Sequence, residues 1–274
     1  HPMAPRRTAL AGWRGILAML ACIVPVFLGF ILPALILLKF AARHFEDILS
    51  PSYFNAMWHS FTLSLTASLV VVVLGLILAY AYRSQSGRKI SNLLRLASVG
   101  YAMPGTVLGI GVLIPLAYFD NSVDAFMRSS FGVSTGLLLS GTITAIIFAY
   151  AIRFLAISFG SLESGLEKVT PNLTFAARTL GRTPLRTVLE IHLPILRPAL
   201  VTATLLVFVD CMKELPATLI LRPFDFETLA TLVYLLASLG QLEESAAPAL
   251  TIVAAGLIPI ILLTRNLRIR ESFR

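Results

Sequence analysis

Charge is scarce in this chain: Asp, Glu, Lys and Arg together make up 13% of its 274 residues, about half the share of an ordinary soluble domain. Hydrophobic residues make up 57%. That is too much apolar surface for one soluble core of this size, so the sequence calls for lipid as its solvent. Cysteine is rarer still. Cys22 and Cys211 lie far apart, each in or beside an apolar run, which excludes a disulfide framework or a CxxC metal pair. His44, His59 and His192 share no ligand spacing and Met103, Met127 and Met212 are scattered, so no resting metal site is expected. A nucleotide site is missing too: Gly160 and Gly165 have P-loop spacing, but Leu166-Glu167 follows where Lys and Ser or Thr are required. The net charge of +8 is spread between apolar runs rather than gathered with aromatics, which argues against nucleic-acid binding. His1 stands where an initiator Met would be, which points to a processed or excised part of something longer.

What is present is a series of long apolar runs: Ile16 to Leu38, Phe61 to Ala81, roughly Leu94 to Tyr118, Gly136 to Ser158, Ile195 to roughly Pro216, and Pro248 to Thr264. Each is near the ~20 residues that carry a helix across a ~30 Å hydrocarbon core. Lipid offers no partner for a bare backbone N–H or C=O, so the runs are expected as helices. Arg6, Arg7 and Arg14 before the first run imitate a secretory or twin-arginine signal, but that run is too long for a signal core. The expected fold is an all-α membrane protein of about six transmembrane helices. One transmembrane domain, 16–264, lies between a 1–15 segment and a 265–274 tail. With six spans, most of the 22 Lys and Arg fall on the face holding both termini, which places the termini in the cytoplasm and the chain in the inner membrane. The stretch 227–240, ETLATLVYLLASLG, is too short to span and reads as a re-entrant or surface helix on the outer side, a seventh span being the competing reading. Gly105-x-x-x-Gly109, followed by Gly111, would let another backbone approach the third run closely.

The connection from about 159 to 194 has more internal grammar than a tether needs. Thr170-Pro171 reads as N-cap and N1 of a short helix over 172–180 that Gly181 stops. Thr183-Pro184 repeats the signal for a second short helix over 185–191, which leads through Leu193-Pro194 into the fifth span. Small side chains at Ala176 and Ala177, ringed by Arg178, Arg182 and Arg186, outline a docking surface. An amphipathic segment lying on anionic lipid is the alternative.

The pattern Ala176-Ala177-x-x-x-Gly181, then nine residues, then Ile191-x-Leu193-Pro194 resembles the EAA loop of binding-protein-dependent ABC transporter permeases, with Phe175 where that family usually has Glu. A second stretch, Asp210-Cys-Met-Lys-Glu-Leu-Pro-Ala-Thr218 with Leu221-Arg-Pro-Phe224 and Thr228-Leu-Ala230, resembles the C-terminal half of ferric-iron permeases. The resemblance implies the type I (MetI-like) importer fold and a coupling loop comprising Phe175, Ala176, Ala177, Arg178, Gly181, Arg182, Ile191, Leu193 and Pro194. The chain would then be no enzyme itself. It would bind no cofactor of its own, while separate ABC ATPase subunits use ATP and Mg. The other implied partners are a second permease half, fused or separate, and a periplasmic binding protein that delivers the cargo, Fe(III) or the substrate of a thiamine, sulfate, polyamine or phosphonate permease.

Asp210, Lys213, Glu214 and Pro216 are the candidate pathway residues, expected at or near the outer end of the fifth span, because charges at membrane depth face a cavity or one another. Fe(III) favours oxygen, so Asp210 and Glu214, with Asp225, Glu227, Glu243 and Glu244 further out, are candidate transient ligands. A polar cluster that only holds the helix end is the plainer reading. Arg153 is expected to snorkel to the cytoplasmic headgroups, a gating role being the alternative. Two other classes remain: a stand-alone secondary transporter, which the near absence of mid-span ionisable residues disfavours, and a non-transporting scaffold.

Overall fold

The computed structural model describes residues 12–44, 46, 50–84 and 97–271, with side chains up to 261 except at 84. Residues 1–11 of the N-terminal segment, the start of the third apolar run at Leu94 and residues 272–274 of the tail lie outside the described residues. The regular elements of the described residues are helices: α1 (Trp13–Arg43), α2 (Pro51–Ser84), α3 (Gly105–Phe131), α4 (Ile143–Leu166), α5 (Pro171–Thr179), α6 (Pro184–Met212), α7 (Pro216–Leu221), α8 (Leu229–Ser238) and α9 (Ala246–Glu271). Of these, α1, α2, α3, α4 and α6 are long and apolar enough to cross a membrane. The sixth run is helical in α9, whose backbone continues past the expected end at Thr264 to Glu271.

Prolines shape two of these helices. Pro33 and Pro194 would each drive a ring into the carbonyl four residues back, and each follows a π turn, Phe27–Ile31 in α1 and Val188–His192 in α6. The wider turn relieves the clash without ending the helix. The expected boundary at Leu193-Pro194 is therefore absent, and the second short helix of the loop is the first part of α6.

Helices α2, α4 and α6 form the centre of the bundle and pack pairwise. Small residues set their spacing. A Cβ on Gly75 would fall 2.3 Å from Ser158 Oγ, and one on Gly165 2.5 Å from Ala199 Cβ, so α2 meets α4 and α4 meets α6 with backbones nearly touching. Around these contacts Leu63, Val71, Ile146, Tyr150, Phe154 and Val207 are buried. A second cluster of Tyr53, Ala56, Phe208, Met212 and Leu229 joins the start of α2 to α8 and α9. The apolar window of α1 buries nothing within the chain, and that helix touches the rest through its last turns, where Leu37, Phe40 and Ala41 meet α9.

Two expected spans have different limits. The third run is interrupted at Met103-Pro104, and the long helix α3 starts at Gly105 and continues to Phe131, past the expected end at Tyr118. The fourth run begins as irregular chain: Gly136 and Gly141 take positive φ, and α4 starts only at Ile143. Asp120 accepts from the backbone N–H of Leu139 and Ser140, and Asp124 from those of Thr135 and Gly136. Two carboxylates of α3 thus satisfy backbone groups that a helix would have used.

Candidate functional site

At the end of the bundle where α2 and α4 finish, the chain makes an angled helix pair, α5 and the start of α6. Helix α4 runs on to Leu166, so the connection is shorter than expected. The helix α5 is closed by a left-handed Gly181 at φ +77°, with Gly181 N–H donating to Arg178 O and Arg182 N–H to Ala177 O. Those two bonds satisfy carbonyls the helix leaves open. Thr183 then caps the start of α6, its hydroxyl accepting from Arg186 N–H.

Two side chains with no predicted role staple this pair to the bundle. Arg83, in the last turn of α2, donates to the carbonyls of Leu166 and Val169. His192 is buried, with one ring nitrogen 3.2 Å from Tyr80 Oη and the other 3.2 Å from Thr174 Oγ1. A cavity of about 290 Å³ between them is lined by Tyr80, Arg83, Thr174, Arg178, Thr187 and His192. Polar residues at α-helical spacing gave no cue that distant elements would meet here. The signal available was a single His before a proline-marked helix start.

Of the expected loop residues, Phe175, Ala176, Arg178, Gly181, Arg182 and Pro194 are exposed, Ile191 and Leu193 are half-buried, and Ala177 is buried. The shallow surface thus involves Ala176 and not Ala177, which faces the bundle. Leu180 and Leu185 join Phe175 on the exposed side, beside Arg178, Arg182 and Arg186. Arg182 is partly occupied by an exposed ion pair with Glu190, a contact worth little in water.

The candidate pathway residues gather at the end of the fifth spanning helix. Helix α6 ends at Met212, the chain loses its helix over Lys213–Leu215, and Pro216 restarts it as α7. Glu214 follows that helix end by two residues. Its Oε2 lies 3.1 Å from Nε of Arg153, near the middle of the 24-residue α4. This corrects the snorkelling expectation for Arg153, whose Nη1 donates to Met103 O at 2.7 Å. Asp210 and Lys213 form a separate pair at 2.7 Å, with the Lys213 side chain 62% exposed and that of Asp210 16%. The two candidate iron ligands, Asp210 and Glu214, therefore each face a cation and not one another. Among the described residues no three His, Cys, Asp or Glu gather as a metal site.

Towards the other end of α2, a cavity of about 710 Å³ is lined by Ser52, Asn55, His59, Arg222, Asp225 and Glu227. Its rim is braced: Arg222 pairs with Glu227, His59 Nδ1 meets Glu227 O, and the His59 ring stacks on Phe226. Here α8 starts, capped reciprocally by Thr228 and Thr231. At 10 residues it is too short to span, as expected of 227–240.

No family model matches the chain. It is 26% identical over 226 residues, 82% of its length and 79% of the relative's, to a candidate 2-aminoethylphosphonate transport system permease protein of Salmonella paratyphi A. It is 29% identical over 216 residues, 78% of its length, to an Fe(3+)-transport system permease protein of Haemophilus influenzae, and spans 39% of that longer protein. In fold it is similar to a bacterial ABC transporter involved in the import of the acidic polysaccharide alginate, with a TM-score of 0.70, 15% identity and coverage of 92% of this chain and 94% of that one. The chain is a multi-pass membrane protein with the fold of ABC importer permeases, and its sequence resembles permease subunits of the same kind, ferric permeases among them.

Proposed function

We propose that the chain is the membrane subunit of an ATP-driven importer in the inner membrane and that ferric iron, held in an oxygen-liganded form, is its cargo. The observation that carries this reading is the α5–α6 pair. It is fixed to the bundle by Arg83 and His192, and it presents Phe175, Leu180 and Leu185 with three arginines outward. A lipid-resting segment needs no such rigid mounting, whereas a lever pushed by another protein does. On this reading separate ATPase subunits, using ATP and Mg, seat against that face in the cytoplasm, the side that the excess of Lys and Arg favours for both termini. A second permease half completes the pore, and a periplasmic binding protein delivers cargo to the braced cavity at the other end.

The pathway is expected on the face that bears Lys213 and Asp210. A lysine this exposed beside a mid-bundle helix break cannot rest in hydrocarbon at low cost, and such charges face water-filled space or a partner. The identity to the iron relative supports Fe(III). Lys213 favours a second reading, an anion such as a phosphonate, since a cation beside the path attracts anionic cargo whether it is a phosphonate or an iron chelate.

Reconstitution in vesicles with candidate ATPase and binding proteins tests both levels. ATP-dependent uptake of labelled ferric chelate, lost in Gly181→Asp together with ATPase association, is the expected result. Uptake of labelled 2-aminoethylphosphonate with none of iron would transfer the cargo to the second reading, and unchanged association in Gly181→Asp would remove the coupling-loop assignment.

A further inference from the structure

Two stretches near the middle of the bundle give up their helical ladder, Met103-Pro104 before α3 and Lys213–Leu215 between α6 and α7. The first ends in proline and the second precedes one; proline has no N–H to donate, so a change of angle at Pro104 or Pro216 breaks no backbone bond from that residue. Both also converge on one side chain of an unbroken helix. Arg153 Nη1 donates to Met103 O at 2.7 Å, and Arg153 Nε lies 3.1 Å from Glu214 Oε2. The other carboxylate oxygen, Glu214 Oε1, accepts from Ala217 N–H at 3.3 Å and so holds the start of α7.

Beyond the breaks, α3 and α7 are fitted to each other. A Cβ on Gly105 would lie 2.7 Å from Glu214 Oε1 and 3.0 Å from Pro216 Cβ, and one on Gly109 3.1 Å from Ile220 Cδ1. The two elements pack as one unit, each starting at a break, and α7 also meets α4 through Tyr150 Oη and Thr218 Oγ1 at 2.6 Å. We infer that Arg153 is a positioning residue of transport: a latch that fastens the hinged α3–α7 unit to α4 in this conformation and lets go when the pore changes state.

This rests on the importer reading for its purpose, but not for its geometry. A permanent fastening at this depth would be better made from apolar side chains, because desolvating two charges offsets most of their attraction. Arg153 and Glu214 are nonetheless 18% and 8% exposed. Their approach is also loosely made, since Arg153 Nε has no aligned hydrogen-bond acceptor. A contact that is charged, enclosed and imperfectly aligned can be exchanged for others at little net cost, as a bistable element requires.

Cys211 supplies the probe: it is buried, and its carbonyl accepts from Glu214 N–H. With Cys22→Ser, Cys211 is the remaining thiol of this chain. Its labelling by a small methanethiosulfonate is read by peptide mass spectrometry, first with the permease alone in nanodiscs. Arg153→Lys keeps the charge but cannot span both partners. It is expected to speed resting labelling about tenfold, the effect of weakening the closed state by ~1.4 kcal/mol. Equal rates in Arg153→Lys and the parent overturn the latch, and this comparison needs no ATPase, so it stands even if ATP-driven uptake is never found. In the reconstituted complex, labelling of the parent is expected to rise during turnover and fall at rest. Labelling that is equally slow in both states, while uptake proceeds, overturns the inference without touching the importer reading. If Arg153→Lys fails to assemble, that parent comparison alone decides.

Discussion

Single residues carry opposite consequences here according to what they leave behind. Gly181 sits in the left-handed region at the end of α5, where a Cβ costs about 1–2 kcal/mol. Gly181→Ala is therefore expected to loosen the helix pair and to lower co-purification of the ATPase several-fold, whereas Gly181→Asn, which tolerates that conformation, retains it. Retention by both would show that the turn does not set the docking geometry. The two central ion pairs differ in the same manner. Glu214→Ala strands a largely enclosed Arg153, and removing one partner of such a pair costs about 3–5 kcal/mol, so the yield of assembled, monodisperse complex should fall with uptake. Lys213→Met combined with Asp210→Asn removes a charge that is mostly exposed without stranding its enclosed partner. Assembly is then expected to persist while the KM for an anionic cargo rises, and an unchanged KM in vesicle uptake would take Lys213 off the path.

At the scale of the helix, the bundle is governed by where small residues allow contact. Gly75 lies so close to Ser158 that a Cβ would stand 2.3 Å from its hydroxyl, while around Gly111 nothing lies within 4 Å. Gly75→Ala is expected to lower the thermal midpoint in detergent, since overpacking costs about 1–3 kcal/mol. Gly111→Ala is expected to hold or raise it, gaining up to ~1 kcal/mol of helix propensity; the reverse order would mean that the contact between α2 and α4 is slack. The same glycines show what could be read before the structure. Six apolar runs were legible because lipid forces each into helix, and Gly105 and Gly109 announced a close approach that α7 indeed makes. The interruptions were not legible. Pro104 carried no reading and Pro216 only that of a run end and a pathway candidate, and nothing in either local segment tells that both breaks face Arg153 of a third helix. In the same way nothing in the sequence marked Asp120 and Asp124, which hold the irregular chain ahead of α4. Long-range polar pairing has no sequence period, so it escapes any reading based on pattern.

For the molecule as a whole, the two ends of α2 divide the work. Arg83 at one end grips the chain just before α5, and His59 near the other braces the rim of the larger cavity. A 34-residue helix is about 50 Å long, so force applied to the α5–α6 pair has a rigid path to the far cavity through α2. The face that would receive this force mixes two kinds of contact, and they respond differently to salt. The attraction of Arg178, Arg182 and Arg186 for an acidic partner is screened as the Debye length shrinks from about 8 Å at 0.15 M to about 3 Å at 1 M. Burial of Phe175, Leu180 and Leu185 is not screened, and it falls only where apolar surface is removed. Association with the ATPase, followed by analytical ultracentrifugation of the detergent-solubilised complex, is therefore expected to weaken with salt yet survive it. Arg178→Glu with Arg186→Glu should abolish the salt dependence and lower affinity at low salt, while Leu180→Ser with Leu185→Ser should leave a complex that dissociates at 1 M. If the leucine pair changes nothing at any salt, those side chains meet lipid and the docking face lies elsewhere on the loop.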